Sequence, residues 1–301
     1  MHLRSKLKRL AVLTVPVVIV IFSLIALAIY LEKYNPHLKK QIQYGPYNQK
    51  GSNSLDLYLP DKPVGKLPLI IWIHGGGWVA GDKYPCPSGA LLKEGFAVAS
   101  VNYRLSHEAI FPAQIEDCKT ALAYLRKNAA TYNLDPNRIG VWGASAGGLL
   151  ASLIGTTGDA KEPEWAHFDD VSTRVGAVCD WCGPSDLLTI KQQSGLGIVM
   201  DHSNPTGPVS RFLGGTVLQR KQLAREASPV FYVRPNCPPF LIMHGDQDDL
   251  VPAEQSQELD DALRKAGVSA SLVIVEKGGH DFYSAKAMKQ VVEFFKKYLA
   301  S

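Results

Sequence analysis

Six short apolar runs separated by longer segments constrain this chain more than any other feature of it: LPLIIWIHGG (67–76), FAVASVNYRL (96–105), RIGVWGAS (138–145), RVGAVCDWCG (174–183), PPFLIMHGD (238–246) and ASLVIVEKGG (270–279). Their apolar residues are continuous rather than alternating, which marks strands covered on both faces. Helical patterns fill three of the connections: 112–132 with Ile115, Cys118, Leu122 and Leu125 on one stripe, 253–266 with Leu259, Ala262 and Leu263, and 285–299 with Val291, Val292, Phe294, Phe295 and Leu299. Asp135-Pro136 is expected to stop the first helix and Ala266-Gly267 the second. Strands alternating with helices imply an α/β fold, a mostly parallel central sheet flanked by helices. With 301 residues, 46% of them hydrophobic, the chain can bury a large core, expected as one domain over 55–301. Residues 183–236 interrupt the alternation with Gly195, Gly197, Pro205, Gly207, Pro208, Gly214 and Gly215. An irregular insertion of that length is expected to form a small cap over the active edge of the sheet.

The formal charge of +4 is not spread over this domain. Residues 1–9 hold Arg4, Lys6, Lys8 and Arg9, residues 1–31 hold no acid, and beyond them basic and acidic residues balance. A nucleic-acid partner is disfavoured, because no Lys/Arg surplus falls on the part that folds. Residues 10–31, LAVLTVPVVIVIFSLIALAIYL, carry no charge over 22 residues, the length of helix that crosses a hydrocarbon core of about 30 Å. They are expected to form a transmembrane signal-anchor. The basic residues before them place the N-terminus in the cytoplasm and the folded domain outside it. Ala26-Leu27-Ala28 is a cleavage site that would give a secreted protein instead. Residues 32–54 are polar and read as a tether and an edge strand.

Five cysteines, Cys86, Cys118, Cys179, Cys182 and Cys237, are an odd number in a chain large enough to need no staples. Cys179-Asp-Trp-Cys182 is a CxxC, but no second one follows and His167 and His202 lack zinc-finger spacing. The expectation is packed thiols, with a local disulfide as the alternative.

Gly143-Ala144-Ser145-Ala146-Gly147 fits G-x-S-x-G between the strand IGVW and the helical stretch GGLLASLIG. Small residues allow a strand-to-helix turn tight enough to expose the serine hydroxyl at a helix N-terminus. A serine attacks only when a base takes its proton and a carboxylate orients the base. His280, behind Gly278 and Gly279 after the last strand, supplies the base; Asp246, Asp248 and Asp249 follow the strand PPFLIMHG, and Asp248 completes the chain order Ser, Asp, His. His107 and His244 are rival histidines that do not follow the acid, and they read as structural or pocket-lining. Oxyanion donors are expected from His74-Gly75-Gly76-Gly77-Trp78 and from the Ala146 amide. The loop is not a phosphate cradle, having neither a following Lys-Ser/Thr nor the GxGxxG spacing. Trp78, Tyr103 and His107 are pocket candidates. The chemistry calls for no cofactor and no metal.

HGGGW, GASAGG, HGDQDDLVP and GGH, in that order over residues 74–280, resemble the α/β-hydrolase superfamily, and more narrowly the carboxylesterases related to hormone-sensitive lipase and bacterial feruloyl/acetyl esterases. Asn102-Tyr103-Arg104-Leu105, Phe111-Pro112-Ala113-Gln114-Ile115-Glu116-Asp117 and Ala227-Ser228-Pro229 are also similar to that family. The resemblance implies Ser145 as nucleophile, His280 as base, Asp248 as its orienter, and Gly76, Gly77 and Ala146 as oxyanion donors. Where relatives of hormone-sensitive lipase have Pro-Glu-His after Tyr-Arg-Leu and an Asp before the nucleophile, this chain has Ser106-His107-Glu108 and Ala144, which favours the shorter carbohydrate-esterase-like branch. The implied activity is hydrolysis of a small-molecule or carbohydrate-linked ester. An amide-directed hydrolase using the same triad and an inactive membrane-anchored binding module are the alternatives.

Overall fold

The apolar runs assemble side by side in an eight-stranded sheet. The computed structural model describes residues 38–46, 51–161, 163–166, 171–190 and 204–300. Its strands are β1 (Leu38–Gln43), β2 (Ser54–Tyr58), β3 (Leu67–Ile73), β4 (Ala97–Val101), β5 (Leu134–Ala144), β6 (Ala177–Trp181), β7 (Phe240–Gly245) and β8 (Ala270–Val275), in the order β1-β2-β4-β3-β5-β6-β7-β8. From β4 through β8 every neighbouring pair is parallel, and β2 joins β4 antiparallel. The chain from Lys39 onward forms one compact unit.

Strands β3, β4, β6 and β7 are buried along their whole length, as continuous apolar runs require. β8 differs from that expectation. It closes the sheet as an edge strand, with Ile274 45% exposed. None of its residues is fully buried, and Ala270 and Leu272 pack against the core.

The helices are α1 (Gly89–Lys93), α2 (Ala113–Lys127), α3 (Ala146–Thr157), α4 (Pro208–Leu213), α5 (Lys221–Glu226), α6 (Ala253–Lys265) and α7 (Ala285–Leu299). The stripe Ile115, Cys118, Leu122 and Leu125 of α2 is buried as its spacing predicts. Every residue of α3 is buried, so this helix lies inside the layers rather than on them. On α7 Val291, Phe295 and Leu299 point inward, while Val292 and Phe294 remain partly exposed.

Two expectations shift. α2 ends at Lys127, followed by a 3-10 turn at Ala129–Tyr132 and a left-handed Asn133. Asp135-Pro136 lies within the start of β5, where the register against β3 shifts; proline is tolerated where the ladder is interrupted. The segment 10–31 expected to cross a membrane lies outside the described residues. Among the described residues no helix is long and apolar enough to do so.

The motif residues Arg104 and Asp117 meet where β4 leads into α2. The Arg104 guanidinium donates to both Asp117 oxygens, at 2.9 Å from Nε and 2.8 Å from Nη2, and the Arg104 amide donates at 2.8 Å to the same carboxylate. Both side chains are largely buried. Removing the acid strands a buried guanidinium, although Arg104 keeps the Ala113 carbonyl and Glu116 as partners. Asp117→Ala is expected to cost about 3 kcal/mol, read as a lower urea midpoint at unchanged slope.

Candidate active site

Ser145 is the single residue between β5 and α3. Its φ of 55° and ψ of −121° lie in a region that L-residues seldom occupy. The turn is held from both sides: the Ser145 amide donates to the Trp181 carbonyl at 2.7 Å, and its carbonyl accepts the first bond of α3 from Leu149. The flanking glycines follow from this close approach. A Cβ on Gly143 would meet the Gly147 carbonyl, and one on Gly147 the carbonyls of Ile73 and His74, all inside 3.0 Å.

The acid and histidine loops converge from the ends of β7 and β8. A Cβ on Gly245 would strike the carbonyls of Gly278 and Gly279, so the glycine of the HGD sequence lets the two loops cross. The Gln247 amide donates to the Gly278 carbonyl at 2.8 Å. Of the three acids, Asp248 is the one that reaches the histidine, with His280 Nδ1 2.7 Å from its Oδ2. The other oxygen accepts from the Leu250 and Val251 amides at 2.8 and 2.9 Å. His244 Nε2 lies 3.0 Å from Oδ2. Burial alone would raise the Asp248 pKa, but the hydrogen bonds from His244, His280 and the Val251 amide outweigh it and hold the carboxyl well below its usual range.

Ser145 and His280 line one cavity of about 800 Å³, together with Gly76 and Gly77. These two glycines have φ of 107° and 59°, a backbone open to residues without a Cβ. The amides of Gly76, Gly77 and Ala146 have no acceptor among the described residues. Ala146 is the first residue of α3, where a helix leaves its N–H groups unpaired.

None of the three pocket candidates lines the cavity. Trp78 is fully buried: its indole donates to the Ala146 carbonyl at 3.1 Å and stacks on Phe212 with ring centroids 4.1 Å apart. Tyr103 stacks on His74 at 4.4 Å and donates to the His74 carbonyl at 3.0 Å. Both side chains therefore brace the glycine loop from behind. His107 is exposed. The residues that do form the walls include Trp72, Trp181, Phe282 and Tyr283. Their signal was available, since Trp72 and Trp181 lie at the ends of parallel strands and Phe282-Tyr283 directly follow His280. Of the described part of 183–236, only Pro208 and none of its neighbours reaches the cavity; Phe212, Leu213 and Ala224 are buried as core.

All five cysteines are free thiols. Cys182, with φ of 45°, donates to the His280 carbonyl at 3.5 Å, and burial raises its pKa. Cys182, Asp248 and His280 have their ligand atoms within 4.8 Å of one another. His280 Nδ1 and Asp248 Oδ2 are joined by a hydrogen bond of 2.7 Å.

The parallel sheet, the strand–serine–helix turn and the acid and histidine loops at the same edge define an α/β-hydrolase fold. The sequence model of the BD-FAE family matches residues 55–263, and the chain belongs to that family. It is 33% identical over 235 residues to a Mycobacterium tuberculosis protein described as esterase LipQ, covering 76% of this chain and 53% of that one. Among solved structures, a truncated carbohydrate esterase from gut microbiota is 31% identical with a TM-score of 0.76, over 89% of this chain and 99% of the other. An acetyl ester-xyloside bifunctional hydrolase from Caldicellulosiruptor lactoaceticus is 29% identical with a TM-score of 0.63, over 81% and 85%. The chain spans about half the length of the curated relatives it matches.

The two glycine environments give a direct stability test. Gly147→Ala is expected to lose at least about 2 kcal/mol, because the added methyl would fall inside 3.0 Å of the Ile73 and His74 carbonyls, backbone that cannot swing aside. Gly279→Ala, with nothing within 4 Å of its Cβ position, is expected to stay within about 0.5 kcal/mol of the parent. Thermal unfolding of the two variants checks the contrast.

Proposed function

We propose that this protein is a serine carboxylesterase that hydrolyses short-chain or aromatic acyl esters through a covalent acyl-Ser145 intermediate. The observation that carries the reading is the His280–Asp248 bond beside a serine in an unfavourable backbone conformation, on the wall of one cavity. Ser145 Oγ attacks the ester carbonyl carbon while His280 Nε2 takes its proton. Asp248 holds Nδ1–H and stabilises the imidazolium. Negative charge moving onto the carbonyl oxygen is met by the Gly76, Gly77 and Ala146 amides, which are already oriented and cost no reorganisation. The tetrahedral intermediate expels the alcohol, which leaves with the proton from His280. Water then attacks the acyl-serine by the same steps in reverse, releasing the acid and restoring Ser145.

The substrate class rests on the walls. Trp181 packs against Phe282 and Tyr283 with ring centroids 5.1 and 6.2 Å away, and Tyr283 is 59% exposed. Aromatic faces of this kind accept a planar ring. The similar carbohydrate esterase and acetyl ester-xyloside hydrolase support an ester joined to a small acyl group. Residues 183–236 act in this reading as a cap that contributes Pro208.

Ser145→Ala is expected to lower kcat for p-nitrophenyl acetate by about 10⁴-fold or more with the melting temperature retained. Undiminished turnover would contradict the assignment, and a higher kcat/KM for N-formylkynurenine than for the aryl acetate would move the enzyme to the amide-directed class.

The reading extends to location. Residues 10–31 form a single membrane anchor, with residues 1–9 in the cytoplasm and the catalytic domain outside it, on the strength of the uncharged 22-residue run behind four basic residues. The protein is then expected in the membrane fraction and released only by detergent. A soluble mature form beginning at Ile29 would show that the segment is a cleaved signal.

A further inference from the structure

His244 is wholly buried and lies outside the residues to which the reaction has so far been assigned. It sits on β7, four residues before the acid. Its Nε2 is 2.9 Å from the Val251 carbonyl and 3.0 Å from Asp248 Oδ2, and its Nδ1 is 2.6 Å from Ser256 Oγ on α6. A carbonyl oxygen only accepts, so Nε2 carries the hydrogen. Asp248 Oδ2 lies 3.0 Å from the same nitrogen, beside the carbonyl to which it donates, and with the hydrogen on Nε2 alone Nδ1 accepts from the Ser256 hydroxyl.

The groups around the acid consequently fall into two sets. Oδ1 receives the Leu250 and Val251 amides, and Oδ2 is bonded to His280 with His244 Nε2 3.0 Å away. The amides belong to the acid's own loop and fix that oxygen relative to its own backbone. His244 ties the acid loop to the sheet, because it donates to the Val251 carbonyl from β7, which is packed between β6 and β8. Without it, the loop whose amides hold the carboxylate would lose its side-chain bond to the sheet, and the carboxylate would shift together with the imidazole that it orients.

Building on the serine-esterase reading above, we propose that His244 is a positioning residue for the reaction: its Nε2–H, bonded to the Val251 carbonyl and 3.0 Å from Asp248 Oδ2, holds the acid loop so that the carboxylate keeps His280 in its working orientation. It acts through Asp248 and touches neither substrate nor Ser145. A purely structural role predicts a loss that follows stability. A positioning role predicts a loss that follows the Nε2–H donor.

The test uses the full chain and two substitutions of similar bulk. His244→Met removes the donor, and His244→Gln places an amide N–H near the position of Nε2. His244→Met is expected to lower kcat for p-nitrophenyl acetate by about 10- to 100-fold, the range for losing a hydrogen bond to a charged group, with KM changed less than about two-fold. His244→Gln is expected to recover most of that loss. Wild-type kcat in His244→Met, or a His244→Gln variant no more active than His244→Met, would overturn the proposal. The tautomer is read without any variant: ¹⁵N spectra of the histidine-labelled parent are expected to show hydrogen on Nε2 of His244, and hydrogen on Nδ1 with Nε2 bare would overturn the proposal even if neither variant folds. Ser145→Ala assayed alongside separates the two readings, since retained activity there refutes the esterase mechanism while leaving the tautomer result intact.

Discussion

The Asp248 carboxylate is the point on which the site turns. A buried carboxylate is stable only when its lone pairs are used, and here two loop amides and the His280 imidazole donate to them, with His244 Nε2 3.0 Å away. The acid thus stays ionised where burial would protonate it. Its position in turn fixes His280, and the Cys182 thiol holds the His280 carbonyl from the other side. The elements that bring these groups together, β6, β7 and β8, are adjacent parallel strands whose C-terminal ends open onto one edge. In open parallel sheets that edge is where ligands bind.

The opposite wall is built by a different economy. Ser145 is held in a backbone conformation that costs of order 1–3 kcal/mol, and the fully buried α3 behind it resists relaxation. The glycine loop after β3 passes close enough to α3 that Gly147 admits no side chain. Trp78 and Tyr103 then lock that loop from the core side, through the Ala146 and His74 carbonyls. A second buried acid, Asp180, lies under the same helix, accepting from Ser152 at 2.5 Å and the Gly183 amide at 2.9 Å; burial pushes its pKa up to about 6. The amides proposed to meet a developing oxyanion therefore sit on backbone that packing braces without substrate.

Much of this was legible in the sequence. Ser145, Asp248 and His280 could be read because each is tied to a local pattern with its own physical cause: a turn that admits only small neighbours, an acid after one strand, a histidine after the next. The central strands were equally plain, since strands covered on both faces have no polar alternation. Side-chain direction was not legible. Trp78 ends the glycine loop and Tyr103 and His107 follow the next strand, yet the first two point into the core and the third into solvent. Trp72, Trp181 and Phe282 reach the cavity because of strand register and a turn after His280, which the pattern of apolar residues does not encode. The end of α2 and the exposure of β8 escape the sequence for a related reason, because proline at a register shift and an apolar edge strand look locally like a helix stop and a buried strand. Chain order alone reads His244 as structural, and the fold brings its Nε2 to 3.0 Å from Asp248 Oδ2.

The central claim is that Ser145 is the atom-bearing nucleophile of an acyl transfer. Peptide mass spectrometry after reaction of the folded protein with a fluorophosphonate probe tests it most directly. One phosphonyl group on the peptide containing Ser145, prevented by Ser145→Ala and slowed by loss of His280, is the predicted result. A folded protein that takes up no label, or takes it up at another serine, would contradict the account.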